Sequence, residues 1–288
     1  MVIGGLSVYT GGVMRVLSLF DGMSCGQIAL NRIGIKPDKY YAAEIDKWAI
    51  QTTQKNYPDT IQLGDVTKVS FPEGEIDLLL AGSPCQGFSY AGKQLNFDDP
   101  RSALFWEFVR VLKESKPKYF LLENVRMKKE YQDIISEAVK CEPVEINSSL
   151  VSAQNRKRLY WTNIPKVSHL EDKGLVLSDI LKQESQLKFN INKYSEKCRK
   201  QILKNSKTVK QKSIALCTNS NITGSGVTTI DLEDGVHYRK LTAIECERLQ
   251  TVLDNYTEGV SNTQRYKMLG NGWTVDVIAH ILRGMDER

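Results

Sequence analysis

The 288-residue chain has no Cys-x-x-Cys pair and only three histidines, so a tetrahedral structural zinc site is not expected and no metal is assigned. No apolar run approaches the ~20 residues that cross a bilayer. The opening stretch MVIGGLSVYTGGVM lacks the basic region followed by an apolar stretch that marks a secretory signal. No membrane partner is expected, and the expected location is the cytoplasm. Internal repeats and low-complexity tracts are missing, which sets aside solenoids and extended arrays. The six cysteines (Cys25, Cys85, Cys141, Cys198, Cys217 and Cys246) are scattered in the manner of reduced thiols. Gly-x-Gly-x-x-Gly is absent too, which weighs against a nicotinamide oxidoreductase.

What is present is a core-forming composition, 41% hydrophobic, with an uneven charge. The net charge is +5, yet Lys182–Lys212 alone carries ten Lys and Arg against two acids, which leaves the rest of the chain at −3. A basic block on a mildly acidic body suits a polyanion partner, although a solvated lysine-rich face would read the same way.

Between Arg15 and Lys118 strands and helices alternate. VLSLF (Val16–Phe20), a continuous apolar run suited to burial on both faces, YYAAE (Tyr40–Glu44), a short strand before Asp65, IDLLLAG (Ile76–Gly82) and KYFLL (Lys118–Leu122) read as strands. Asp46–Asn56 and Ser102–Ser115 read as helices between them. The pattern predicts an α/β fold with a doubly wound, mostly parallel sheet. It dissolves over residues 165–238 and returns at Arg239, where Thr242 and Glu245 have the spacing of a capping box. The last helix is expected over Val275–Arg283. This organisation predicts an N-terminal extension of no assigned role (1–13), a main domain (14–164 plus 239–288) and a small inserted domain (165–238).

Four stretches carry chemistry. LFDGMSCG (Leu19–Gly26) is a strand feeding a glycine turn and a helix, where backbone N–H groups can approach a ligand. Glu44 closes the next strand about 20 positions on, placed to accept from ribose hydroxyls. Asp65 closes the third strand, within reach of an adenine amino group. Together they describe a nucleoside cofactor site, for a dinucleotide or S-adenosylmethionine. The second stretch is LLLAGSPCQGFSYAG (Leu78–Gly92), which puts Cys85 just past a strand end, where ligands sit in open α/β sheets. A lone cysteine is more often a small buried hydrophobe, and position alone does not reverse that. The third, ENV (Glu123–Val125), places a carboxyl beside the same sheet edge, as a proton donor or a plain N-cap. In the fourth, AQNRKRLYWTN (Ala153–Asn163), Gln154, Arg156 and Arg158 alternate, so on a strand they would share one face.

In this order the stretches resemble the cytosine-C5 DNA methyltransferase family. GSPCQGFS looks like its Pro-Cys nucleophile motif, ENV like its glutamate motif, and QNRKR like its Gln-x-Arg-x-Arg motif. RKLTAIECERLQ (Arg239–Gln250) and GNGWTVDVIAHI (Gly270–Ile281) look like its late motifs. The resemblance covers about residues 15–164 and 239–288 and is mainly to bacterial and phage enzymes. FDGMSCG and GNGW depart from the usual Phe-Ala-Gly and Gly-Asn-Ser forms, toward the animal de novo enzymes.

The resemblance implies a Rossmann-like S-adenosylmethionine-dependent methyltransferase fold with a small recognition domain. It implies methyl transfer to C5 of a flipped cytosine in double-stranded DNA through a covalent Cys85–C6 intermediate, leaving S-adenosylhomocysteine. Cys85 is the implied nucleophile, Glu123 acts at N3 and Arg158 holds O2. Cofactor contacts are implied for Phe20, Asp21, Gly22, Gly26, Glu44, Ile45, Asp65, Val66, Pro84, Asn271, Gly272 and Trp273. Ser89, Gln154 and Arg156 are expected on the DNA side, the last two as braces of the pocket. Residues 165–238 become the target recognition region, its lysines meeting phosphates. A companion restriction endonuclease is a candidate partner. A tRNA methyltransferase of the same family is disfavoured because the insert has no Cys-Phe-Thr. A catalytically dead DNA-binding regulator is disfavoured because both Pro-Cys and Glu are present.

Overall fold

The computed structural model describes residues 13–83, 100–165, 167, 170–182, 188–218, 221–223 and 227–285. The chain divides into two compact units. The first falls within Met1–Ile146, Lys157–Ser168 and Ile278–Arg288, and the second within Asn147–Arg156 and His169–Val277.

In chain order the elements are β1 (Arg15–Leu19), α1 (Cys25–Arg32), β2 (Lys39–Ala43), α2 (Lys47–Asn56), β3 (Ile61–Gln62), β4 (Leu78–Gly82), α3 (Pro100–Ser115), β5 (Tyr119–Val125), α4 (Lys129–Val139), β6 (Val144–Asn147), β7 (Gln154–Asn155) and β8 (Lys157–Thr162). They are followed by β9 (Lys188–Asn190), α5 (Glu196–Asn205), β10 (Ser206–Lys207), β11 (Ser213–Ile214), β12 (Thr229–Asp231), β13 (His237–Lys240), α6 (Ala243–Leu249), α7 (Asn262–Asn271) and α8 (Val275–Arg283).

The first unit is built on a seven-stranded sheet in the order β3-β2-β1-β4-β5-β8-β6. β3, β2, β1, β4 and β5 pair in parallel, and β8 runs antiparallel to β5. The alternation of side chains along each strand divides the core in two. Leu17, Leu19, Leu79, Ala81, Phe120, Leu122, Leu159 and Trp161 cluster with Phe105 and Phe108 of α3 and Ile135 of α4. The opposite register carries Leu80, against which Gly26 of α1 packs closely. Helices on both faces explain why β1, β4 and β5 are near-continuous apolar runs. The order reverses between β1 and β4: the chain leaves β1 toward β2 and leaves β4 toward β5. Ligands of open α/β sheets lie at the carboxyl ends of such strands. This is the expected doubly wound, mostly parallel sheet. The fifth strand runs three residues further than expected and takes in Glu123–Val125, because β8 pairs along it to Val125.

In the second unit, β10-β12-β13-β9 form a four-stranded sheet over Ile191, Ile202 and Tyr238. The lysine-rich stretch therefore has regular structure. Ser195 caps α5, Ile202 anchors it, and Lys197, Lys200 and Lys204 are exposed on it. Lys212 behaves differently: its Nζ donates to the carbonyls of Ser149 (2.7 Å) and Leu175 (2.6 Å), so this member of the basic block is a structural clamp.

The expected capping box at Thr242 is present, with Glu245 N–H on Thr242 Oγ1 and Thr242 N–H on the Glu245 carboxylate. Glu245 is also fully buried and held by both terminal nitrogens of Arg239, at 2.8 and 2.9 Å. The Arg-x-Leu-Thr-x-x-Glu pattern is thus a bidentate buried ion pair joining β13 to the first turn of α6. Arg239→Ala leaves that carboxylate without its cation. We expect a loss of about 3–5 kcal/mol of stability, read as a lowered denaturant midpoint, against about 1 kcal/mol for Thr242→Ala.

Candidate active site

β1 ends in a turn in which alternate residues are left-handed. Phe20, Gly22 and Ser24 have φ of 57°, 59° and 64°. At Gly22 a Cβ would meet nothing within 4 Å, so the turn presents bare backbone to open space. Phe20 and Ser24 adopt this conformation without being glycine, at a cost of roughly 1 kcal/mol or more each. Glu44, just past β2, faces the same turn. Its Oε2 accepts from Gly22 N–H, and its Oε1 accepts from the N–H groups of Ile45 and Asp46, each at 2.8 Å. A carboxylate has about four acceptor positions. Three fixed amides aim the group and leave capacity on Oε2 for a ligand hydroxyl. Ile45 beside it is 77% exposed, an apolar surface suited to one face of a purine. Asp65 is exposed, and the Thr67 N–H on its carboxylate holds its pKa below the usual range. Val66, the next residue, is buried.

Bare backbone, an aimed carboxylate, an exposed aliphatic side chain and an exposed acid fit an adenosine-containing cofactor. Two expected members of this group behave otherwise. Gly26 is a packing glycine: a Cβ there would stand 2.6 Å from Leu80 Cδ1 and 2.7 Å from the Tyr40 hydroxyl. The Asp21 side chain turns inward, taking hydrogen bonds from Ser24 Oγ (2.6 Å) and the Tyr40 hydroxyl (2.8 Å).

The second group lies at the ends of β4, β5 and β8. Glu123 is opposite Gly82 in the β4–β5 register, and Arg158 is opposite Val125 across the β5–β8 pair. Their side chains meet diagonally, with Arg158 Nε 2.9 Å from Glu123 Oε1 and both mostly shielded from solvent. The sheet thus brings together two residues 35 positions apart in sequence. Cys85, Pro84 and Ser89 lie outside the described residues. The last described residue before them, Ser83, is buried, and its Oγ accepts from Asn124 Nδ2 at 3.0 Å. Asn124 gave no signal in the sequence beyond its place inside ENV.

Gln154 and Arg156 fall in the second unit and Arg158 in the first. Gln154 and Arg156 are buried and Arg158 partly so, while Asn155 and Lys157 between them are exposed. β7 pairs with β11 and β8 with β5, so the pairing partner changes across Arg156. The side chains of Gln154 and Arg156 are bonded within the second unit. Gln154 Nε2 donates to Leu249 O (2.6 Å) and Gln250 Oε1 (2.9 Å). Arg156 donates to the carbonyls of Leu216 (2.9 Å), Gly270 (3.1 Å) and Gly272 (2.9 Å). Gln250 in turn donates to the carbonyls of Leu269 and Gly272. This network ties the Gln-x-Arg segment to both late motifs, a linkage invisible in sequence because its acceptors are mostly backbone carbonyls. Asn271 ends α7, Gly272 caps it and Trp273 is buried. Gly270 is obligatory there, since a Cβ would lie 2.3 Å from the Cys217 carbonyl.

The profile of the C-5 cytosine-specific DNA methylase family matches residues 14–166 and 126–287. Type II methyltransferase M1.ScrFI of Lactococcus lactis subsp. cremoris is 30% identical over 95% of this chain and 78% of its own length. Type II methyltransferase M.NlaX of Neisseria lactamica is 27% identical over 95% of this chain and 96% of its own length. Orphan methyltransferase M.SPRI of Bacillus phage SPR matches a shorter part, 37% identical over 53% of this chain and 38% of that protein. Among solved structures, Entamoeba histolytica methyltransferase EhMeth superposes with a TM-score of 0.80 at 17% identity, covering 96% of this chain and 99% of that one. S. pombe Dnmt2 methyltransferase superposes at 0.75 and 20% identity, covering 95% and 98%. At those identities the superpositions speak for the fold, while the sequence matches speak for the family: the chain belongs to the C-5 cytosine-specific DNA methylases, enzymes that transfer a methyl group from S-adenosylmethionine to cytosine in DNA.

Proposed function

We propose that this chain methylates a flipped cytosine in duplex DNA with Cys85 as nucleophile and Glu123 and Arg158 as the groups that hold the base. The observation that carries this is the Glu123–Arg158 pair beside Gly82, three residues before Cys85 in the chain. Cytosine C5 is a poor nucleophile and is buried in the stack, so the base must be extruded at a cost of a few kcal/mol. The Cys85 thiolate adds to C6. Glu123 donates a hydrogen bond or proton at N3 as the ring gains electrons, and Arg158 holds O2. The resulting enamine has its electron density at C5. Gly22, Glu44, Ile45 and Asp65 would hold S-adenosylmethionine, which when bound would supply the electrophilic methyl group. Loss of the C5 proton to a base then expels the Cys85 thiolate and restores the ring.

Gln154 and Arg156 act as braces, since their polar atoms are turned to the protein's own backbone. Residues 165–238 read the target, with exposed Lys197, Lys200 and Lys204 supplying phosphate contacts and hence salt-sensitive affinity. Among the described residues no helix is long and apolar enough to cross a membrane. The proposed location is the bacterial or phage-infected cytoplasm, at the nucleoid, with a companion restriction endonuclease as partner.

Duplex DNA carrying 5-fluorocytosine at the target is expected to form an adduct that survives denaturing electrophoresis, because fluorine at C5 blocks the elimination. The full chain should also move labelled methyl groups to duplex DNA far faster than to tRNA. No adduct would overturn the covalent route, and preference for tRNA would overturn the substrate.

A further inference from the structure

The side chain of Asp21 takes no part in the chemistry above, yet it is firmly anchored beside the cofactor turn. It is buried at the end of β1, with Ser24 Oγ on Oδ2 at 2.6 Å and the Tyr40 hydroxyl on Oδ1 at 2.8 Å. Gln27 Nε2 continues the chain, donating to Ser24 Oγ (2.9 Å) and to Thr60 Oγ1 (2.8 Å). The main chain of Asp21 and Gly22 is held separately, Asp21 N–H by the Ala43 carbonyl and Gly22 N–H by Glu44. The two strained non-glycine residues, Phe20 and Ser24, flank this anchor. Left-handed backbone of that kind persists where its surroundings over-determine it.

We propose that Tyr40, with Ser24, is a positioning residue for S-adenosylmethionine, acting through an ionised Asp21 that fixes the Phe20–Gly22 turn. The inference rests on the reading that the cofactor lies on this turn. Hydroxyl donors are best met by an acceptor-only partner, which an ionised carboxylate is and a protonated one is not. Adding a proton to Asp21 turns one acceptor position into a donor and removes the charge that strengthens these bonds, so the anchor weakens. Gly26 belongs to the same arrangement, since any side chain there would strike the Tyr40 hydroxyl. Burial raises the Asp21 pKa to about 6, opposed by the hydrogen bonds from Ser24, Ser18 and Tyr40. The titratable groups acting on it are Tyr40 from β2 and Glu44 just beyond β2, whose negative charge pushes in the same direction as burial. Tyr40 itself stays protonated, its own pKa raised by burial and by Asp21. Cofactor affinity should therefore hold at neutral pH and fall as pH drops through about 6.

The test is calorimetric titration of the full chain with S-adenosylhomocysteine between pH 5.5 and 8. Tyr40→Phe removes a donor that favours the ionised carboxylate, so the inflection moves to higher pH. Its KM for S-adenosylmethionine rises roughly tenfold while kcat changes far less. Ser24→Ala moves the inflection the same way, and serves if Tyr40→Phe folds poorly. Asp21→Asn binds weakly and loses the inflection. An unmoved inflection in both hydroxyl variants, or one that persists in Asp21→Asn, overturns the inference. Glu44→Gln separates the two failures. Normal binding by that variant overturns the cofactor-site reading itself, whereas weak binding there with wild-type behaviour in Tyr40→Phe overturns only the anchor.

Discussion

Cys85→Ala is expected to abolish methyl transfer to DNA, with a loss on the order of 10⁴-fold or more, and to form no adduct with 5-fluorocytosine DNA. The reason lies in the base. Its C5 becomes nucleophilic only when a group adds at C6, and the proposed scheme gives that addition to Cys85 alone. Two of the other thiols are poor substitutes. Cys25 and Cys246 are buried, and burial with two neighbouring glutamates raises the Cys246 pKa far above the ordinary thiol value, which leaves it protonated and inert. S-adenosylhomocysteine affinity should change by less than about twofold, because the cofactor turn is built from β1 and β2. Transfer of labelled methyl groups and the adduct assay read both effects. Substantial residual transfer by the variant would sink the nucleophile assignment while leaving the family unaffected.

Glu123→Gln is expected to lower kcat by roughly 10²- to 10⁴-fold with cofactor KM little changed. Glutamine keeps the shape and can still donate a hydrogen bond toward N3, but it cannot deliver a proton as the ring gains electrons. It also removes the anion that holds Arg158 Nε at 2.9 Å, so the guanidinium loses its fixed orientation toward O2. The two losses act on one base and will not add independently of Arg158 substitution. A variant that folds, binds cofactor and retains kcat within about threefold would show that the carboxyl is only an ion-pair partner.

How far the sequence carried these assignments differs from residue to residue. The alternation of apolar runs and amphipathic segments located β1, β2, β4, β5, α2, α3 and α8 to within a few residues, because buried parallel strands must be apolar on both faces. The Thr242–Glu245 capping box was readable from spacing alone, since it involves only neighbours on one turn. Glu44 was found by its interval from the glycine turn, which follows from one βαβ unit bringing two strand ends together. The Gln154–Arg156–Arg158 alternation is visible in burial, with Asn155 and Lys157 exposed between them. The hydrogen-bond partners of Gln154 and Arg156 were not legible, because pairing changes across Arg156 and the acceptors are mostly backbone carbonyls.

Residue types and their order along the chain by themselves determined the fold class and the glycine turn facing Glu44. Both depend on local periodicity and on short intervals, which a linear string records. Cys85 as candidate nucleophile and the family came from the resemblance of ordered motifs. Only the tertiary structure decided that Arg239 is the buried partner of Glu245, that Lys212 clamps carbonyls, that Arg158 meets Glu123 and that Asp21 turns inward to Tyr40. Each is a pairing of polar groups from separate elements, fixed by strand register and by the cost of leaving a buried charge or carbonyl unsatisfied. That cost is set by what surrounds a group in space, and nothing in the order of residues states it.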